Sequence, residues 1–172
     1  MKLRNVTSFH VSVAAEAFTA ALFARCGYDV SVQYGANQPE YDLIVTRGPG
    51  VLKVSVKGSK EHNWGLSQKH LKDADYQVAA ETWYARHGPR TIYSLVLFFD
   101  DDPMRMPRLY LATPREIADR LKASANGRGD TILHERKVWT TRAQAAGTTD
   151  EIPSTWTFSS HRIDELMKLA TI

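Results

Sequence analysis

Three residues in the stretch YDLIVTRGPGVLKVSVKGSK (residues 41–60) have types and spacing suited to chemistry: Asp42, Ser55 and Lys57. The stretch reads as two short strands joined by Gly48-Pro49-Gly50, with Asp42 opening the first and Lys57 closing the second. Strand alternation sends Ser55 and Lys57 to one face and Leu52, Val54 and Val56 to the other. An acid on one strand beside a polar-x-lysine pair on its neighbour can hold a hard divalent cation and steady charge on a phosphodiester. A second acid, Glu16, stands in an apolar segment upstream. If that segment is a helix lying across the sheet near the strand ends, Glu16 and Asp42 become metal ligands. The backbone carbonyl of Val56 is then a further ligand, and Lys57 assists the attacking water.

Each residue also has a plainer reading. Alone, Asp42 reads as a strand-edge acid, Glu16 as a solvated helix residue and Lys57 as a surface lysine. What sets them apart is their order: a helix acid, a strand acid, a short turn, then a strand ending in x-Lys.

The elements that must position these groups follow from periodicity. Residues 8–26 read as a helix capped by Thr7 or Ser8 and stopped by Gly27. Its expected apolar arc is Val11, Ala14, Ala17, Phe18, Ala21 and Leu22, with Glu16 at the border. Strands are predicted over 28–34, 41–47 and 51–57, then a polar loop over 58–65 and a long helix over 66–86. Residues 91–99 form an apolar run that reads as a buried strand, and 108–112 as another strand. Thr113-Pro114-Arg115-Glu116 opens the next helix with a capping box and a proline at the first helical position. That helix runs to about Ala123. Residues 126–130 then read as a turn, 131–140 as a strand, 141–153 as a mobile loop and 159 or 160 to 170 as an amphipathic helix. This order predicts an α/β fold with a mixed central sheet flanked by helices. It places a core over 1–125 and a C-terminal extension, 126–172, packed on it.

Bulk composition narrows the classes. The chain has 172 residues, 43% hydrophobic and 24% charged, with a net charge of +3, which permits a nucleic-acid partner without demanding one. No apolar run reaches the roughly 20 residues a membrane span needs, and the N-terminus lacks a signal-peptide core, so a cytoplasmic protein is expected. Cys26 is the single cysteine, which rules out an intrachain disulfide and a cysteine zinc site. The histidines show no tight ligand spacing, Gly48-Pro49-Gly50 lacks a phosphate-loop ending, and Asp100-Asp101-Asp102 reads as a solvated strand-end loop. Lys60 and Lys69 are candidate phosphate contacts. Trp64 between them either stacks on a base or anchors its loop on the body.

The pattern Ala15-Glu16, Gly27-Tyr28-Asp29-Val30, Tyr41-Asp42-Leu43-Ile44-Val45 and Leu52-Lys53-Val54-Ser55-Val56-Lys57-Gly58-Ser59 resembles the PD-(D/E)XK nuclease superfamily. Within it the pattern is most similar to the small endonuclease and Holliday-junction-resolvase-like members, over residues 10–125. The resemblance implies a restriction-endonuclease-like fold and Mg²⁺- or Mn²⁺-dependent cleavage of duplex or branched DNA; a homodimer is compatible with it. By position, Asp42 becomes the central metal ligand, Lys57 the catalytic lysine and Glu16 the helix acid. Gln33 matches a polar residue that some members carry on the first strand. Ser55 departs from the family, which has Glu or occasionally Gln there. Three outcomes follow: two carboxylates suffice, with Ser55 acting through a water; Glu61, Asp73 or Asp75 supplies the missing acid; or cleavage is lost and nucleic-acid binding kept.

Overall fold

The computed structural model describes residues 5–33 and 40–170. The first helix, α1 (Ser8–Arg25), is capped by the Thr7 hydroxyl, which accepts from the His10 N–H, and it ends before Gly27, whose φ of 83° is the left-handed turn expected there. Strands β1 (Asp29–Val32), β2 (Leu43–Arg47) and β3 (Gly50–Ser59) follow as an antiparallel meander. A short strand, β4 (Asn63–Gly65), a 3₁₀ turn at Gln68–His70 and α2 (Tyr76–Tyr84) lead into β5 (Thr91–Leu97). Next come β6 (Arg108–Ala112), α3 (Pro114–Ala123), β7 (Ile132–His134), β8 (Arg136–Val138), β9 (Thr149–Glu151) and α4 (Ser160–Ala170).

The central sheet has five strands in the order β1-β2-β3-β5-β6. β3 and β5 are parallel and the other pairs antiparallel, so the fold is mixed α/β, as the sequence predicts. β5, buried along its whole length, separates two cores. Ala15 and Phe23 of α1 and Ile163 and Leu166 of α4 pack with Leu43, Leu52, Val54 and Val56 on one face. On the other face, Ala80 and Trp83 of α2 and Ile117 and Leu121 of α3 pack with Tyr93, Leu95 and Leu97.

Four local expectations need correction. The helix predicted over 66–86 is confined to Tyr76–Tyr84, because Asp73 and Ala74 take left-handed φ of 50° and 56° and Asp75 then caps a new start. The polar loop over 58–65 is partly strand: β3 continues to Ser59, and β4 pairs with β7. The strand expected over 131–140 divides into β7 and β8, which belong to separate two-stranded sheets. The expected mobile loop contains β9, and its Asp150 is buried, accepting hydrogen bonds from Trp139, Ala125 and Arg120. Of the strand predicted over 28–34, residue 34 lies outside the described residues.

The buried line of α1 also differs from the expected arc: Ala15, Thr19 and Phe23 face inward while Ala17 and Ala21 are exposed. α1 carries apolar residues around most of its circumference, so hydrophobic spacing leaves its rotation open. Two contacts fix that rotation instead. Thr19 and Ser94 share a buried hydrogen bond of 2.9 Å, and Gly58 of β3 lies directly beneath Ala15 and Val11.

Candidate active site

The site forms where β2 ends before β3 does. β2 pairs with β3 only as far as Val54, and beyond it β3 runs on to Ser59 beside β5 alone. Asp42 is the last residue held at that margin: its N–H donates to the Val54 carbonyl at 2.9 Å, and its carbonyl accepts from the Gln33 N–H at 2.9 Å. The next outward-facing amide of β3 on that side belongs to Val56. With no β2 backbone opposite, it donates to Asp42 Oδ2 at 2.6 Å. The Asp42 carboxylate therefore takes the place of a missing ladder acceptor. Strand geometry turns the Val56 carbonyl to the same side as its amide.

Ser55 sits across from Asp42 and is 2% exposed. Its hydroxyl donates to the Glu40 carbonyl at 2.5 Å, tying down the segment that delivers Asp42. In this geometry the hydroxyl proton is committed to the backbone, which leaves the oxygen only as an acceptor. In register beside it on β5 is Tyr93, whose hydroxyl lies 2.8 Å from His87 Nε2 and within hydrogen-bond reach of Ser55. The His87 Nδ1 faces the Tyr84 carbonyl at 3.3 Å, so a neutral His87 donates there and accepts the Tyr93 proton at Nε2. Burial lowers the His87 pKa and pushes the Tyr93 phenol far above its ordinary value, so both are neutral at pH 7. The charge of Glu40 reaches both rings.

Glu16 arrives from the opposite layer. A Cβ at Gly58 would lie 2.9 Å from Ala15 Cβ, Val11 Cγ1 and the Val11 carbonyl, so glycine is required for α1 to approach β3 this closely. Glu16, next to Ala15, is thereby brought to the open margin. Its pKa is raised, first by burial and then by repulsion from Asp42, while attraction to Lys57 partly offsets both. The helix acid, strand acid and lysine thus share one electrostatic neighbourhood, and neither Glu16 nor Lys57 closes an ion pair with a described residue. Among the described residues no group of three or more His, Cys, Asp or Glu side chains converges as a metal cage. The donor set on offer is two carboxylates and a backbone carbonyl.

Lys57 is exposed and forms one wall of a cavity of about 400 Å³, shared with Gly65, Gln68, Lys69, Trp83 and Tyr93. Lys69 lines the same cavity as Lys57. Lys60 instead turns toward the acidic loop, 3.3 Å from Asp101. Trp64 is 3% exposed, donates its indole N–H to the Lys57 carbonyl at 2.9 Å and meets Tyr110 edge-on. It is the anchor of its loop, and the expectation that it stacks on a base is corrected. Asp75 accepts from the Val78 N–H at 3.0 Å as the α2 cap. Gln77 binds that end of α2 to the carbonyls of Lys122 and Gly127, while Trp83 at the opposite end lines the Lys57 cavity. Asp75 is thus used as a cap at the end of α2 away from the Lys57 cavity. Asp73 lies in the turn before it. Glu61 is exposed, its N–H donating to Ser59 Oγ at 3.0 Å.

Glu40, Gln68, His87 and Tyr93 are site residues that the sequence reading passed over. Glu40 stands two residues before Asp42, and Tyr93 is the polar ring within the apolar run of β5, the signals by which both could be found.

No protein-family model matches the chain, and no curated protein matches it. Among solved structures it is similar to that of Archaeoglobus fulgidus Hjc, a Holliday junction resolvase from an archaeal hyperthermophile. The TM-score is 0.41 and the identity 17%, over 72% of this chain and 88% of that one. At that degree of likeness, function rests on the site geometry. No helix among the described residues is long and apolar enough to cross a membrane.

Proposed function

We propose that the protein is a metal-dependent endonuclease of the restriction-endonuclease-like kind, hydrolysing phosphodiester bonds of DNA. The observation that carries this reading is that Asp42, fixed by the Val56 amide at the margin where β3 outruns β2, lies with Lys57 within electrostatic reach of Glu16. Two carboxylates and a carbonyl fit Mg²⁺, which keeps several waters and needs few protein ligands. Glu16, Asp42 and the Val56 carbonyl would hold it, and when bound it supplies charge stabilisation for the phosphate and a more acidic water. The chain's own groups do the positioning. The Val56 amide orients Asp42 by fixing one carboxylate oxygen. The raised pKa of Glu16 reflects a negative charge poorly compensated by protein, a deficit that a cation relieves. Lys57 brings an ammonium to the same opening, where it can steady a phosphate oxygen or orient the attacking water.

A second reading has its own support. Ser55 spends its hydroxyl on Glu40, and Tyr93 and His87 behind it are neutral, so the position that carries an acid in the resembled family is closed. That favours a module on the same scaffold that binds nucleic acid without cutting it. Incubation with plasmid and branched DNA, with Mg²⁺ or Mn²⁺ and with EDTA, separates the two. The nuclease reading expects metal-dependent nicking that disappears in Asp42→Asn and Lys57→Ala. Salt-sensitive binding with no nicking under any metal condition would overturn it in favour of the module.

A further inference from the structure

We infer that the cavity between β3 and the 3₁₀ turn at Gln68–His70 is a subsite for a DNA backbone phosphate adjoining the one at Asp42. This deepens the proposed function and rests on it for the identity of the polymer. Lys57 and Lys69 reach the cavity from separate elements, and no acidic residue lines it among the described residues. The cavity beside the first turns of α1 differs, since there Asp100, Asp101 and Asp102 stand among the lining residues and the cations Lys60 and Arg105 are paired with Asp101 and Asp100.

The walls are built to keep this shape. Gln68 folds its amide onto Gly65, where an added Cβ would fall 1.9 Å from Gln68 Nε2. Trp83 and Tyr93 are each 5% exposed, and Tyr93 is fixed by His87. The cavity volume of about 400 Å³ takes a phosphate with its attached sugar. Lys57 belongs to both this cavity and the Asp42 opening, so a strand seated at one presents its neighbouring phosphate to the other.

The test measures binding, so it does not depend on cleavage. Fluorescence anisotropy in EDTA is recorded with a short duplex and with duplexes carrying one neutral methylphosphonate at successive positions. Wild type, Lys69→Ala, Gly65→Ala and the control Lys168→Ala, an equal loss of charge on the opposite face of the sheet, are compared. The expected result is a loss of about 5- to 10-fold for Lys69→Ala, with the salt slope reduced by about one, and less than about twofold for Lys168→Ala. One methylphosphonate position should lose its penalty in Lys69→Ala, and the same position should be weakened in Gly65→Ala, where Gln68 is displaced. Equal effects of Lys69→Ala and Lys168→Ala, or no position whose penalty vanishes, would overturn the subsite. Lys69-dependent binding without metal-dependent nicking leaves the subsite standing and removes the nuclease. Asp42-dependent nicking without Lys69 dependence does the reverse.

Discussion

Two polar clusters, one on each side of β5, have opposite electrostatic characters. At the corner between β7 and β8, Glu135 accepts from Arg108 Nε at 2.6 Å and Nη2 at 2.8 Å, from the Tyr110 hydroxyl at 2.5 Å, and faces His62 Nδ1 at 3.0 Å. Burial alone would raise its pKa, but these hydrogen bonds outweigh it and bring the carboxyl down to about 2. At the candidate site Glu16 shifts the other way, raised by burial and by Asp42, with Lys57 only partly compensating. One cluster has satisfied its charge and serves structure. The other leaves Glu16 with its charge only partly compensated at an opening.

The largest expected effect separates the two by activity. Asp42→Asn should reduce DNA nicking about a thousandfold, by analogy with removal of a single transition-state-stabilising group. Its stability should change by less than about 1 kcal/mol, because the Asn carbonyl can still accept from Val56. Plasmid nicking and thermal melts of the same preparation check both halves. Glu135→Ala should invert this pattern. It leaves Arg108 and Tyr110 without their shared partner and should cost about 3 kcal/mol in urea unfolding while nicking at permissive temperature persists.

A third variant sharpens the contrast within the site. Ser55→Glu places a carboxylate at a position that is 2% exposed and removes the donor to Glu40. Without metal it should lower stability by about 2 kcal/mol, and Mg²⁺ should then raise the melting temperature more than in wild type. An unchanged response to Mg²⁺ would show that the position does not face the cation.

The smallest effect is the pH dependence, and here the two acids diverge in sign. Glu135 has a depressed folded pKa, so its contribution to stability is present above the ordinary carboxyl value and is lost as pH falls from about 4.5 toward about 2. Glu16 has a raised folded pKa, so its contribution to stability is greatest below the ordinary value and is lost as pH rises through the folded one. Mg²⁺ affinity should rise over that same range as Glu16 gives up its proton. Calorimetric titration of Mg²⁺ against pH checks this, and Glu16→Gln should flatten the curve.

Much of this was legible in the chain because local chemistry and tertiary context agreed. Thr113-Pro114-Glu116 caps α3 as written, and the apolar run of β5 is buried along its whole length. The alternation of β3 put Val54 and Val56 in the core and Ser55 on the opposite face. What was hidden depended on distant partners. The rotation of α1 is set by Thr19 meeting Ser94, residues 75 apart in sequence, and by Gly58. The helix over 66–86 is cut short because Asp73 and Ala74 take left-handed φ and Asp75 caps a new start, which hydrophobic spacing does not signal. Tyr93 and Glu40 join the site through strand register and the Ser55 hydrogen bond, so the polar ring in β5 and the acid two residues before Asp42 take on meaning only in three dimensions.

The absent side chain at Gly58 acts as a spacer of zero thickness between two layers of the molecule. Any larger residue there acts as a shim under the first helix, and the acid that helix carries would stand off from the strand end by the thickness of the shim. A carboxylate that meets Asp42 at the strand end tolerates little such displacement, so one hydrogen atom in the third strand calibrates its reach from the far side of the sheet.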